Sequence, residues 1–196
     1  MYYKTFRLLK SDKIRHVMDK KLQDHLLSVI TPEIIDSFEL DRFVNRIKKG
    51  DLLRETNPIS HCCAMIVVYD SINRKVFAVN HRKAGMWLFP GGHIEANELP
   101  KENVVREIKE ELGLDIAIAD IKGPFGLQII DIENPRTTCK EHYDCFYVLE
   151  KPDQEMVVDE RESSDSGWFT IPEVLEKIED SYYKRSVEKF VTFMGW

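Results

Sequence analysis

The stretch Gly92-His93-Ile94-Glu95-Ala96-Asn97-Glu98-Leu99-Pro100-Lys101-Glu102-Asn103-Val104-Val105-Arg106-Glu107-Ile108-Lys109-Glu110-Glu111-Leu112-Gly113-Leu114 decides how the rest of the chain is read. Most of it carries the marks of one helix, over about Glu98–Leu112. Asn97 is a good N-cap, Pro100 falls in the tolerated first turn, Glu98 suits the positive helix end, and Gly113 stops the helix. At about 100° per residue, Glu107, Glu110 and Glu111 lie within one arc of roughly 100°. Val104, Val105, Ile108 and Leu112 fill the neighbouring arc. One side of the helix is therefore core, and beside it runs a stripe of three carboxylates.

Like charges at this spacing oppose helix formation by several tenths of a kcal/mol per pair. Lys109 points elsewhere and cannot neutralise them. A solvated acidic face is one reading. The other is an oxygen-ligand site for a hard divalent cation, Mg²⁺ or Mn²⁺. The preceding Phe89-Pro90-Gly91-Gly92 lets backbone come close to such an ion, because glycine has no side chain in the way.

Upstream and downstream of this helix the period changes. Cys62 to Tyr69 is a short apolar run rich in β-branched residues, and after the turn material Asp70-Ser71-Ile72-Asn73 comes Lys75 to Val79. These read as two strands with a tight connection. Further strands are expected over Asp115–Ile121, Phe125–Ile132, His142–Leu149 and Gly167–Thr170. Thr170 can cap a helix from Ile171, and Val187, Phe190, Val191 and Met194 stripe a last one. The expected fold class is α/β, a mixed sheet between helical layers in an α/β/α sandwich.

The first 57 residues read differently. Ser11 can cap a helix striped by Ile14, Val17, Met18, Leu22, Leu26, Val29 and Ile30. Thr31-Pro32 then has the form of an N-cap followed by a first-turn proline. Leu40, Phe43, Val44 and Ile47 make another stripe, ended by Gly50. A helical extension over 1–57 and a main domain over 58–196 are expected, with the boundary at Asn57-Pro58. The apolar stripes of the extension need cover, from the main domain or from a second subunit in a homodimer.

Composition bounds the function. The chain of 196 residues carries 28 Lys+Arg against 34 Asp+Glu, and 43% of it is hydrophobic, enough for a real core. The charge divides into +3 over the first 57 residues and −9 over the rest. An acidic main body argues against nucleic acid as a partner and suits a protein that gathers carboxylates around cations. No apolar run is long enough to span a membrane, and Met1-Tyr2-Tyr3-Lys4-Thr5 lacks the apolar core of a secretory signal. A soluble cytoplasmic protein with its four cysteines as free thiols is the expectation.

The spacing Gly92-x5-Glu98-x7-Arg106-Glu107-Ile108-x-Glu110-Glu111-x-Gly113-Leu114 resembles the box of the Nudix hydrolases at all nine specified positions. The preceding Phe-Pro-Gly is similar to that family as well, and the strand pattern resembles its fold from about residue 58 onward. The resemblance implies that Glu107, Glu110 and Glu111 ligate Mg²⁺, or Mn²⁺, with one of them able to take a proton from an attacking water. It implies that Arg106 orients these carboxylates, that Glu98 braces the loop–helix junction with Gly92 and Gly113 as structural positions, and that the Gly91 carbonyl is a further ligand. It also implies a late carboxylate six residues before a tryptophan. Glu162 stands so to Trp168, with Glu160 and Asp165 as rivals. The reaction implied is hydrolysis of a nucleoside diphosphate linked to another group, a small nucleotide being the substrate.

Arg82, at a strand end leading into the glycine loop, is placed for phosphate or for solvent. Trp87 suits base stacking or the core equally. His142 and Asp144 share a strand face and touch substrate only if that face is the active one. Cys139-x2-His142-x2-Cys145 has zinc-ligand residue types, but it offers three ligands and enters a strand where neighbours point oppositely, so a metal site is not expected there. The substrate is less legible. Ile129 and Ile130 occupy the region where ADP-ribose-cleaving relatives place a proline, and the Leu-Leu-Thr part of the coenzyme A signature is missing. A non-catalytic ligand sensor and an RNA 5′-end pyrophosphohydrolase are the competing functions.

Overall fold

The computed structural model describes residues 19–135 and 137–196. The expected cap at Ser11 and the stripe positions Ile14, Val17 and Met18 lie outside the described residues. From residue 19 the order is α1 (19–29), α2 (Ser37–Lys48), β1 (Ser60–Asp70), β2 (Lys75–His81), β3 (Met86–Leu88), β4 (Gly91–His93) and α3 (Pro100–Leu112). Then follow β5 (Lys122–Asp131), β6 (Glu141–Glu150), β7 (Ser163–Thr170), α4 (Ile171–Lys177) and α5 (Ser181–Met194).

The strands form one mixed sheet in the order β3-β2-β1-β6-β5, with β7 also on β2 and β4 also on β1. β1 is its axis. β6 runs parallel to it from Ser60↔Glu141 to Tyr69↔Glu150. β1 also pairs antiparallel with two further strands: residues 63–65 with β4, and Tyr69 and Asp70 with β2. That division brings the glycine strand β4 into the sheet beside the helix that follows it. Ile66, Val67 and Val68 are wholly buried, as a β-branched central strand requires.

Both faces are covered. Phe43 of α2 meets Tyr143 of β6 at 5.3 Å, and Phe190 of α5 meets Tyr69 of β1 at 5.8 Å. Tyr143 is the register partner of Cys62, and Tyr69 lies seven residues beyond Cys62 on β1. The two aromatics therefore point to opposite faces. The α/β/α expectation holds.

The extension is not a separate body. Leu22, Leu26, Ile35, Phe43, Ile47, Leu52 and Leu53 are buried in the same core as the sheet residues. Arg46 is spent on the junction, donating to the carbonyls of Gly50 (2.7 Å), Asp51 (2.8 Å) and Ser60. The carboxylate of Asp19 accepts from the amides of Asp51 and Leu52. Among the described residues, the stripe positions Leu22, Leu26, Ile30, Leu40, Phe43 and Ile47 are covered by the chain's own core, so these positions supply no argument for a dimer.

Several boundaries differ from expectation. The strand expected over Asp115–Ile121 is loop and a 3₁₀ turn, Ile118–Asp120, because Asp120 folds back to accept from the Ala117 amide at 3.3 Å. Thr31-Pro32 opens a turn rather than a helix. α2 starts only at Ser37, after an isolated bridge from Ile35 to Leu127. Helix α3 begins at Pro100 rather than Glu98. Its N-cap is Leu99, whose amide donates to Glu102 at 2.6 Å, whereas Asn97 sits in the left-handed region at φ 75°. Met86–Leu88 and Gly91–His93 are strands that were not expected.

Candidate active site

The site is assembled where β4 runs into α3. Gly91 has φ 137°, and a Cβ there would strike the Ala64 carbonyl of the neighbouring strand. At Gly92 a Cβ would strike the Glu107 carboxylate instead. Both glycines are thus required by close approach, one to the sheet and the other to the helix.

Arg106 organises the stripe. Its Nε donates to Glu98 Oε1 at 2.7 Å and its Nη1 to Glu107 Oε1 at 2.9 Å. Nη2 donates to Glu98 Oε2 at 3.1 Å and to the His93 carbonyl at 3.2 Å. Glu98 also accepts from the Glu95 amide and from Asn103 Nδ2, so it ties the loop to the helix. Glu110 is held only at 3.5 Å by Arg106 and stays largely exposed. Gly113 ends the helix in the left-handed region at φ 68°.

Glu111 is the buried member. One carboxylate oxygen accepts from the Gly91 amide at 3.3 Å. Burial, reinforced by the neighbouring Glu107 carboxylate, pushes Glu111 up to about 8. Burial raises Glu107 as well, against the pull of Arg106. Two desolvated carboxylates beside one another, of which Glu107 is paired with Arg106, make the kind of oxygen donor set that a divalent ion takes. The donors are hard oxygens, and the glycine backbone leaves space beside them. The residues fit Mg²⁺ or Mn²⁺.

Of the late carboxylates, Glu162 is near enough for its charge to raise Glu111 further. It also pairs with Lys83 at 2.9 Å and lies 3.7 Å from His81. Glu160 offers its backbone carbonyl to Arg82 Nε at 2.8 Å, and Asp165 turns onto the Ser166 amide. Arg82 is exposed. Trp87 is engaged by Phe169 at 5.3 Å and by Lys177 at 4.3 Å over its ring, a contact between the sheet and α4. His142 packs against His61 and His93 rather than beside the three glutamates. Cys145 is the register partner of Ala64 and His142 that of His61, so these two residues of the Cys139-x2-His142-x2-Cys145 triple face opposite ways.

A cleft of about 450 Å³ opens beside the stripe, with Arg54, Glu55, His93, Glu95, Glu107 and Thr138 on its walls. No motif marks Arg54 in the sequence: it sits at the end of the extension, three residues before the Asn57-Pro58 boundary. Only the fold brings it to the same cleft as Glu107.

With this geometry in hand, the relatives are informative. The NUDIX domain family matches residues 60–190. An 8-oxo-dGTP diphosphatase of Proteus vulgaris is 40% identical over 53 residues, 26% of this chain and 47% of that protein, so the chain matches about half that relative's length. A Lactococcus lactis protein described as "Probable DHNTP pyrophosphohydrolase" is 26% identical over 149 residues, 70% of this chain and 82% of that one. The crystal structure of a MutT protein from Methanosarcina mazei Go1 superposes with a TM-score of 0.58 at 18% identity, covering 70% of this chain and 97% of the other. No helix among the described residues is long and apolar enough to cross a membrane. A complete box on β4 and α3, the mixed sheet that carries it and a family match over 60–190 lead to one conclusion: the chain belongs to the Nudix hydrolase family.

Proposed function

We infer that the protein is a Mg²⁺-dependent (or Mn²⁺-dependent) pyrophosphohydrolase that opens a phosphoanhydride of a small nucleotide by attack of water on phosphorus. The observation that carries this reading is the buried Glu111 with the half-buried Glu107 beside it, both close against glycine backbone next to an open cleft. A sensor that only bound its ligand has no chemical need for desolvated carboxylates. The names of both relatives, a diphosphatase and a pyrophosphohydrolase, support the same reaction class.

Glu107, Glu110 and Glu111 would hold the cation, with the Gly91 carbonyl and Glu162 completing its oxygen donors. When bound there, the cation neutralises charge developing on the phosphoryl oxygens. Arg106 keeps Glu107 in one orientation while neutralising part of the stripe. Glu110, exposed and weakly tethered, is free to take the proton of the attacking water. Arg54 supplies positive charge for the substrate phosphates at the cleft, and the exposed Arg82, next to β2, is a second candidate cation for them. Trp87 and His142 have other partners and carry no part of this reading.

The test is a panel of nucleoside triphosphates, nucleoside diphosphate conjugates and 5′-triphosphate RNA, assayed with Mg²⁺ and with the phosphate products identified. Turnover of a small nucleotide that stops on chelation is expected. Turnover confined to RNA, or ligand binding without any hydrolysis, overturns the reading.

A further inference from the structure

β4 alternates. At Gly92 the strand is open toward Glu107, and at the next residue the His93 ring goes to the other side. There it meets His61 of β1 at 4.7 Å between ring centres and His142 of β6 at 5.2 Å. His61 and His142 are themselves 4.9 Å apart. Cys139, just before β6, closes the group: its Sγ lies 3.6 Å from His61 Nε2 and 4.0 Å from His93 Nε2. One ligand atom from each of His61, His93, Cys139 and His142 falls within 4.8 Å of all the others.

We propose that these four side chains are a second metal site, a Cys-His₃ site for Zn²⁺ that shares no ligand with the carboxylate stripe and locks β1, β4 and β6 together beneath the glycine loop.

The distances suit the ion. Zinc–nitrogen bonds of about 2.0–2.1 Å and a zinc–sulfur bond of about 2.3 Å in a tetrahedron put ligand atoms roughly 3.4–3.6 Å apart. The observed sulfur–nitrogen separations are at that value and slightly above it. The donor set, three imidazoles and a thiol, is wrong for Mg²⁺ and right for zinc. The tautomer of His61 is also set. Its Nδ1 lies 2.9 Å from the Asn57 carbonyl and donates to it, which leaves Nε2 as a lone pair aimed at Cys139. Metal-bound histidines are oriented in just this way by a carbonyl on the far nitrogen.

Without an ion the cluster is poorly satisfied. His142 Nε2 is buried with no hydrogen-bond partner, and the buried Asp144 on the same strand face has the Cys63 thiol beside it. Zn²⁺ with one thiolate carries a net single positive charge, which offsets a buried Asp144 carboxylate next to His142. With four protein ligands no position is left open, so the role is structural. Its leverage on the active site is direct, because the backbone carbonyl of His93 accepts from Asn103 Nδ2 at 2.8 Å and from Arg106 at 3.2 Å. A fixed His93 thus fixes the residue that carries Glu107.

The experiment takes the full chain, stripped of metal under reductant, and titrates it with Zn²⁺ or Co²⁺ in millimolar Mg²⁺. One tight Zn²⁺ per chain is expected, with Tm rising by about 10 °C at a thousandfold excess over Kd. Co²⁺ should give the intense visible bands of a tetrahedral ion and a near-ultraviolet thiolate charge-transfer band. Cys139→Ser should abolish that band, and His61→Gln should weaken Kd by more than about 100-fold, beyond what outer-shell partners control. Glu111→Gln should bind Zn²⁺ like the parent. No zinc uptake by the parent, an octahedral Co²⁺ spectrum without the thiolate band, or loss of the tight ion in Glu111→Gln each overturns the proposal. The parent spectrum decides the matter even if a cluster variant fails to fold.

Discussion

Replacing Gly92 with alanine separates the chemistry of this site from its stability. The backbone at Gly92 does not need positive φ, so alanine is conformationally allowed there. What stands in the way is the tip of one flexible side chain. The new Cβ would sit 2.9 Å from Glu107 Cδ and 3.3 Å from Glu107 Oε2, where ordinary contact begins at 3.4 Å. The Glu107 carboxylate must therefore move by roughly 0.5–1 Å, stretching its 2.9 Å bond to Arg106. A displacement of that size costs on the order of 10² in turnover when the displaced group positions the reaction. Stability changes little. Part of a charge-assisted bond is lost, about 1–2 kcal/mol, while replacing glycine returns about 0.4–1 kcal/mol through the unfolded chain. Tm should stay within about 6 °C of the parent. Gly91→Ala is the contrast, since its Cβ meets strand backbone that cannot turn aside, and Tm should fall well below that limit. The assay is kcat with an identified nucleotide at saturating Mg²⁺, alongside calorimetry. A Gly92→Ala enzyme within twofold of parental turnover, or one whose loss merely tracks unfolding, refutes the reasoning.

Glu107→Gln and Glu111→Gln should each lower kcat by about 10²–10⁴. The metal-free Glu111→Gln protein should melt a few degrees higher, because a buried and repelled carboxylate has been removed. Glu102→Gln should keep turnover within about threefold and lose a little stability, since Glu102 caps α3 and lies outside the stripe. Excess chelator should abolish hydrolysis and added Mg²⁺ should restore it; full turnover with metal demonstrably removed sinks the carboxylate assignment. Phe43→Ala should destabilise the whole protein by about 3–5 kcal/mol in a single calorimetric transition. Two separate transitions would show that the extension folds on its own.

The most legible part of the sequence was helix α3. A 3.6-residue period, a fixed spacing of charges and a stopping glycine survive without tertiary information, so the stripe and its core face were readable in advance. Its start was not, because Asn97 is as good a residue for a left-handed turn as for a cap, and the loop used it for the former. β4 was invisible for a related reason. Gly91-Gly92-His93 has no strand preference, and its pairing depends on β1 already being in place. The apparent strand at 115–121 alternates correctly, but Ile118 is 47% exposed and no neighbour pairs with it. The four-residue cluster beneath the glycine loop could not be assembled from spacing, since two of its members come from β1 and β4. Cys139 and His142 alone pointed to Cys145, which faces the other way.

The bridge between Ile35 and Leu127 has a consequence for how this chain can be cut. β5 is the last strand on its side of the sheet, and it is there that the Leu127 amide donates to Ile34 at 2.6 Å, while Lys189 and Arg185 reach across to Asp36. The segment ahead of α2 thus acts as a guard on an otherwise open edge, whose free amides and carbonyls are a template for pairing with another copy. The matched family region begins at residue 60, behind that guard. A protein trimmed to the matched region would keep every residue of the carboxylate stripe and lose its protection against sheet-to-sheet association. Residue 60 marks where the family likeness starts, whereas the segment that covers the β5 edge lies upstream of it.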